Sequence, residues 1–299
     1  MLNPYFECGR YRLPIRSSNV NLVTPVFPPL VMGILNVTPD SFSDGGKFQH
    51  LDLAISHAEQ MIEDGVDIID IGGESSRPGA KPLPLDEELK RVIPLVYALR
   101  DCGKPISVDT YKPEVMREAI LAGADLINDI RGFSSVEARA IVADSDVGLC
   151  VMHMQKSPEN MQIRPAYRNV CDEVSDFLRD RCEELQSAGV DKSRICVDPG
   201  FGFGKTLEHN LELLRGIGSM QTGLCLPMLV GVSRKSMIGE MTSRPVEKRL
   251  AGSLAAALAA MSQGARILRV HDVAETVDAI RVWEVVNSVK RTPNSRSYI

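Results

Sequence analysis

The sequence predicts a closed (β/α)8 barrel of the TIM type, in one domain with a short N-terminal hairpin. Three observations carry that expectation. Eight short apolar runs recur along the chain, each followed by a segment whose apolar residues repeat at a helical period. Strict strand–helix alternation implies parallel strands joined by right-handed crossovers. Every run ends in polar or ionisable residues, the position where barrel enzymes carry their chemistry. The competing architecture is an open doubly wound sheet, but no GxGxxG fingerprint follows the first run.

The strand candidates are Leu30–Asn36, Asp67–Ile71, Pro105–Asp109, Leu126–Asp129, Gly148–Met152, Arg194–Asp198, Pro227–Ser233 and Arg266–Val270. The first helix has the stripe Leu51, Ala54, Ile55, Ala58, Met61 and Ile62, with Gly65 suited to its C-terminal cap. Pro94 interrupts the second helical pattern, where it would kink the helix. Pro113 stands at the first position of the third helix, ahead of Val115, Met116, Ala119 and Ile120. The last helix has the stripe Val273, Val277, Ile280, Trp283 and Val286. Residues 1–29 form an extension in which Phe6, Tyr11 and Ile15 surround a Cys8-Gly9-Arg10 turn, a hairpin placed to cover the barrel floor. The barrel spans 30–289, and the polar stretch 290–299 is expected to be disordered.

Bulk properties agree with an enzyme of this kind. A chain of 299 residues buries about three quarters of its surface on folding, so a large core forms without disulfide staples. The net charge of -5 argues against a nucleic-acid binder, which would show a basic face. The seven cysteines are odd in number and lack CxxC spacing, as in a reduced cytoplasmic protein without zinc. The sequence shows neither a signal peptide nor an apolar stretch of about 18 residues that could cross a membrane.

The strand ends supply the candidate site. The first run ends in Asn36 and continues through Thr38-Pro39-Asp40-Ser41-Phe42. The second leads into Gly72-Gly73-Glu74-Ser75-Ser76-Arg77-Pro78. Asp109 closes the third, Asn128 the fourth, and His153 follows the fifth. Asp198 opens Asp198-Pro199-Gly200-Phe201-Gly202-Phe203-Gly204-Lys205 after the sixth. Lys235 and Ser236 follow the seventh, and Arg269 and His271 mark the eighth. Any one of these fits a helix cap or a turn. All eight in one register do not, because converging charges cost stability unless a ligand uses them. Gly204-Lys205-Thr206 looks like the end of a phosphate-binding loop, but Pro199 stands where that motif needs Gly, so a turn with Thr206 as helix cap is expected. His153 reads as packing, and His50, His57 and His209 read as solvent-facing helix residues.

These motifs resemble dihydropteroate synthase, a pterin-binding family. MGILNVTPDSFSDGG (32–46), IDIGGESSRPGA (69–80), SVDT, NDI, VMHMQ, DPGFGFGK, GVSRKS and RVHDV occur in the family's order across roughly 30 to 289. The resemblance implies condensation of a dihydropterin hydroxymethyl pyrophosphate with p-aminobenzoate in folate synthesis. It implies that Asp109, Asn128, Asp198 and Lys235 bind the pterin, and that Asn36, Arg269 and His271 bind the pyrophosphate. Asn36 would also contact magnesium, the implied cofactor. Ser76, Arg77, Pro78, Phe203 and Ser236 would form the p-aminobenzoate pocket with Asp40 and Phe42, and Asp40, Arg77, Asp109 and Lys235 would take part in catalysis. The implied assembly is a homodimer through the last helices. The chemistry fits these residue types. Carboxylates only accept, matching the donors along a pterin edge. Arginine grips phosphate through paired donors, and a helix N-terminus behind His271 favours an anion. Two other readings are weighed. A cobalamin-dependent methyltransferase barrel would need a corrinoid module with an Asp-x-His-x-x-Gly motif, which the chain lacks. A non-catalytic pterin binder would not need Asp40 or Arg77.

Overall fold

The computed structural model describes residues 3–15, 28–37, 47–75, 77 and 79–287. Strands β1 (Tyr5–Cys8) and β2 (Tyr11–Pro14) form the antiparallel hairpin, turning at Gly9 with φ +55°. The barrel strands are β3 (Leu30–Asn36), β4 (Ile68–Gly72), β5 (Ile106–Asp109), β6 (Leu126–Asp129), β7 (Gly148–Met152), β8 (Ile195–Asp198), β9 (Leu229–Val230) and β10 (Ile267–Val270). Between them run α1 (Lys47–Glu63), α2 (Leu85–Leu99), α3 (Pro113–Ala122), α4 (Val136–Ala143), α5 (Val170–Ser187) and α6 (Leu207–Leu224). The short α7 (Ser236–Thr242) and α8 (Leu250–Ser262) follow β9, and α9 (Val273–Asn287) follows β10. The parallel order is β8-β7-β6-β5-β4-β3-β10-β9, and a parallel bridge between Val197 and Met228 joins the two end strands into a ring.

Most of the expected strands match within a residue or two. The seventh shrinks to Leu229–Val230, because the chain bends toward α7 before Ser233. Arg194 belongs to a turn of 3-10 helix rather than to β8. Helix α2 runs unbroken through Pro94. Pro113 does open α3, and Gly65, with φ +93°, follows the end of α1 as expected. In α9, Val273, Val277 and Ile280 are buried, but Trp283 and Val286 are exposed, so only the first part of the expected stripe faces the barrel.

Side chains alternate faces along a strand, and that alternation divides the barrel interior into a floor and a mouth. Met32, Ile68, Leu126, Cys150, Cys196, Leu229 and Ile267 form a buried apolar floor with Phe6, Cys8 and Ile15 from the hairpin. Residues two or four positions further along share the same inward face: Asn36, Asp70, Asn128, Asp198 and Arg269. One parity thus gives an apolar base and a polar rim. Gly148 makes room for the hairpin, since a Cβ there would lie 3.0 Å from the Phe6 ring. The Arg10–Asp125 ion pair at 2.9 Å and the Gly9 N–H to Asp146 carbonyl bond at 3.2 Å hold the hairpin down. Because Phe6 is fully buried, Phe6→Ala is expected to cost about 3–5 kcal/mol. The midpoint of a denaturant titration checks this, and a shift corresponding to less than about 1 kcal/mol would mean the hairpin is not seated.

Candidate active site

Strand register builds the mouth. Asn36 pairs with Gly72, Gly72 with Asp109, and Asp109 with Asn128, so Asn36, Asp109 and Asn128 stand at one level around the rim. Gly72 is the gap in that row: a Cβ there would lie 3.2 Å from Asn36 Oδ1. No described residue hydrogen-bonds the Asn36 carboxamide. Asn128 is 4% exposed, and its Oδ1 is buried without a partner among the described residues. A buried acceptor left without a donor is costly, which marks it as a place for a ligand N–H.

Arg269 lies inside this row. Its Nε donates to Asp70 Oδ2 at 2.6 Å and its Nη2 to Asp109 Oδ2 at 2.8 Å. Asp70, fully buried, also accepts from Ser107 Oγ. Burial disfavours the Arg269 charge, but Asp70 and Asp109 outweigh it and raise the guanidinium pKa, so Arg269 stays a cation. Burial raises Asp109 above the usual carboxylate range, assisted by Asp70 and opposed by Arg269. His271 shares a hydrogen bond with Ser233 Oγ at 3.1 Å. Burial, with Arg269 and Arg234 nearby, lowers its pKa to about 4, so the imidazole is neutral at pH 7.

The opposite wall is formed by the loop after β8 and the turn before α7. Asp198 Oδ1 accepts the Gly200 N–H at 2.7 Å. Gly200 has φ +71°, and a Cβ there would fall 1.9 Å from the His153 carbonyl, so only glycine fits. Lys235 donates to the Phe201 carbonyl, and its ammonium lies 4.7 Å from the Phe203 ring centroid. Burial lowers the Lys235 pKa to about 8, with Asp198 resisting. Arg234 adopts a left-handed backbone (φ +57°), unusual for a non-glycine. Its ion pair with Asp272 and its N–H bond to Ser253 Oγ hold that turn, which aims Lys235 inward. Ser236 begins α7 at the surface.

Arg77 is exposed in the loop after β4. Asp40, Phe42, Ser76 and Pro78 lie outside the described residues. The second loop is anchored by Glu74, which receives Lys112 Nζ at 2.5 Å, the Leu83 N–H at 2.9 Å and the Tyr111 hydroxyl at 3.0 Å.

The structure therefore brings together Asn36, Asp109, Asn128, Asp198, Lys235, Arg269, His271 and Phe203. Sequence reasoning missed Asp70 as a partner of Arg269. Its inward face was legible, since Asp70 precedes Gly72 by two, but its partner was not. His209 also departs from expectation. It is partly buried, accepts the Thr206 N–H at 3.2 Å while Thr206 caps α6, and packs edge-on against Tyr167. Among the described residues no group of three His, Cys, Asp or Glu could hold a metal ion. A hard cation here would have one protein oxygen, from Asn36, and would draw its other ligands from water and phosphate, as magnesium commonly does.

Comparison with known proteins places the family and the fold. The family model described as pterin binding enzyme matches residues 32–271. A dihydropteroate synthase of Escherichia coli is 50% identical over 263 residues, covering 88% of this chain and 93% of that one. One from Neisseria meningitidis is 48% identical, covering 86% and 93%. The solved Burkholderia cenocepacia dihydropteroate synthase complexed with 7,8-dihydropteroate is 49% identical with TM-score 0.84, covering 96% and 98%. The Xanthomonas albilineans enzyme with 4-aminobenzoic acid is 46% identical with TM-score 0.86, covering 96% and 99%. A model match over most of the chain, relatives near half identity and barrels of the same shape make this chain a member of the pterin-binding enzyme family.

Proposed function

We infer that this barrel is a transferase that condenses a dihydropterin hydroxymethyl pyrophosphate with p-aminobenzoate, giving dihydropteroate and pyrophosphate in folate biosynthesis. The observation that carries the reading is the acceptor row of Asp109, Asn128 and Asp198, in which Asn128 Oδ1 is buried and unpartnered. That row fits the donor edge of a pterin, and Lys235 supplies the complementary donor from across the mouth.

In this reading Arg269 exchanges Asp109 for the pyrophosphate and leaves the carboxylate free to face the pterin. Electron release from the ring breaks the bond between the exocyclic carbon and its oxygen. Pyrophosphate leaves with the electron pair, and Asp109 or Asp40 stabilises the cationic methylene. The aniline nitrogen attacks that carbon, forming the new C–N bond, and loses its proton. Ser76, Arg77, Pro78, Phe203 and Ser236 are proposed to enclose the aminobenzoate. Asn36 and the pyrophosphate oxygens would hold magnesium, which neutralises charge on the leaving group. A homodimer through α8 and α9 is proposed on the apolar surface that Val282, Trp283 and Val286 expose. A solution mass of one chain would defeat it. A cytoplasmic location is proposed from the thiols, since all seven cysteines are free. Among the described residues no helix is long and apolar enough to cross a membrane.

The deciding experiment mixes the purified protein with the pterin pyrophosphate, magnesium and p-aminobenzoate and measures pyrophosphate release. Release that needs the aminobenzoate, and that a chelator stops, is the expected result. Absence of aminobenzoate-dependent release defeats the reading. A second expectation concerns protons. His271 is neutral in the free protein, and an anion beside it raises its pKa. At pH 6, binding of inorganic pyrophosphate should therefore take up more protons in the parent than in His271→Gln. Calorimetry in two buffers of different ionisation enthalpy measures the difference, and equal proton counts would remove His271 from the phosphate site.

A further inference from the structure

Lys205 is a buried basic residue beside the mouth that the proposed chemistry leaves unused. It is 3% exposed. Nζ donates to the Phe203 carbonyl at 3.0 Å and contacts His153 Nδ1 at 2.9 Å. Burial lowers the Lys205 pKa to about 7; when protonated, its ammonium has no lone pair, so Nδ1 then accepts and the imidazole proton sits on Nε2. Burial, then the neighbouring Lys205, lowers the His153 pKa to about 3, which keeps that acceptor available. His153 is itself fixed, its ring edge-on against Phe177 at 4.9 Å and its backbone N–H on the Asp198 carbonyl at 3.0 Å.

The loop that Lys205 grips has no helix or strand of its own and is held by separate hydrogen bonds, among them Gly202 N–H to Asn210 Oδ1 at 2.8 Å. Gly200, Gly202 and Gly204 all have positive φ, and Phe201 and Phe203 stand between them. Lys235 ties down the Phe201 carbonyl and Tyr167 the Gly204 carbonyl, the latter at 2.9 Å. Lys205 ties down the carbonyl of the residue whose ring faces Lys235. A buried lysine costs stability that an apolar side chain of similar length would not, so a purely structural filler would not need to be lysine.

We propose that Lys205 is a positioning residue for the aromatic wall of the aminobenzoate site, linking the Phe203 carbonyl to the His153 ring so that the Phe203 side chain stays beneath Lys235. This rests on the proposed function, in which Phe203 lines the aminobenzoate pocket. The residue acts through the loop and touches neither substrate.

The test is steady-state kinetics on Lys205→Met, which keeps the length and removes the donor. The expected result is a KM for p-aminobenzoate raised about tenfold and a KM for the pterin pyrophosphate within about twofold. The melting temperature should change little, because relief of the buried lysine offsets the acceptors left without their donor. An aminobenzoate KM within about twofold of the parent overturns the proposal. So does a parallel rise in both KM values with a lower melting temperature. Should Lys205→Met fail to fold, His153→Phe decides. It keeps the ring packing but removes the acceptor, and a roughly threefold rise in the aminobenzoate KM alone is expected. No change there overturns the proposal. A parent enzyme without aminobenzoate-dependent pyrophosphate release would defeat the proposed function itself, whereas an active parent with no split between the two KM values defeats only the role of Lys205.

Discussion

Asp109→Asn is expected to lower kcat/KM on the order of a thousandfold, about 4 kcal/mol of transition-state stabilisation, while leaving the protein folded. Asp109 has two proposed duties, accepting from the pterin edge and offsetting the charge that develops as pyrophosphate departs. The amide retains one acceptor oxygen and no charge, so it performs part of the first duty and none of the second. Folding should tolerate the change. Burial already disfavours the Asp109 carboxylate, and Arg269 keeps its bond to fully buried Asp70. Steady-state kinetics with a thermal melt on the same sample separates the effects. A folded variant within about tenfold of parent activity would remove Asp109 from the reaction.

Lys235→Ala is expected to lose on the order of a hundred- to a thousandfold in kcat/KM, and Lys235→Arg should not restore it. The ammonium fits between the Phe201 carbonyl and the face of Phe203 as a compact charge, and a planar guanidinium does not occupy that space in the same way. The group also sets a pH dependence. The donor is the protonated amine, and burial lowers its pKa to about 8. Activity toward the pterin pyrophosphate should therefore fall as pH rises through about 8. The linked stability runs in the opposite sense. A lysine whose folded pKa lies below its unfolded value, near 10.4, binds fewer protons when folded in the window between them. Its unfavourable contribution is thus fully present below about pH 8 and is relieved as pH rises toward the unfolded pKa. A rate profile flat from pH 7 to 9.5 would show that Lys235 is not the donor.

Much of this was legible in the residues because two periodicities dominate the chain. Alternation between strand and helix periods gave the barrel, and the parity within each strand already fixed which side chains share the interior. Asn36, Asp109, Asn128, Asp198, Arg269 and His271 could therefore be named from position alone. Partnerships were harder to read. Asp70 and Arg269 are 199 positions apart, and nothing in either neighbourhood shows that barrel closure brings them within 2.6 Å. Lys205 was misjudged for a related reason. Its neighbours Gly204 and Thr206 read as a turn and a cap, which they are, but the pairing with His153 depends on β7 and β8 being adjacent. Pro94 stands inside α2 without ending the helix.

The hairpin on the barrel floor has a consequence for the order of assembly. It precedes the barrel in the chain, and its docking site comes much later in the sequence. Cys8 Sγ donates to the Asp125 carbonyl, Arg10 pairs with Asp125, and Phe6 fills the space beside Gly148. Contacts over such separations form slowly, because the intervening chain must first be organised. The hairpin must therefore wait for the middle of the barrel before it can seal the base.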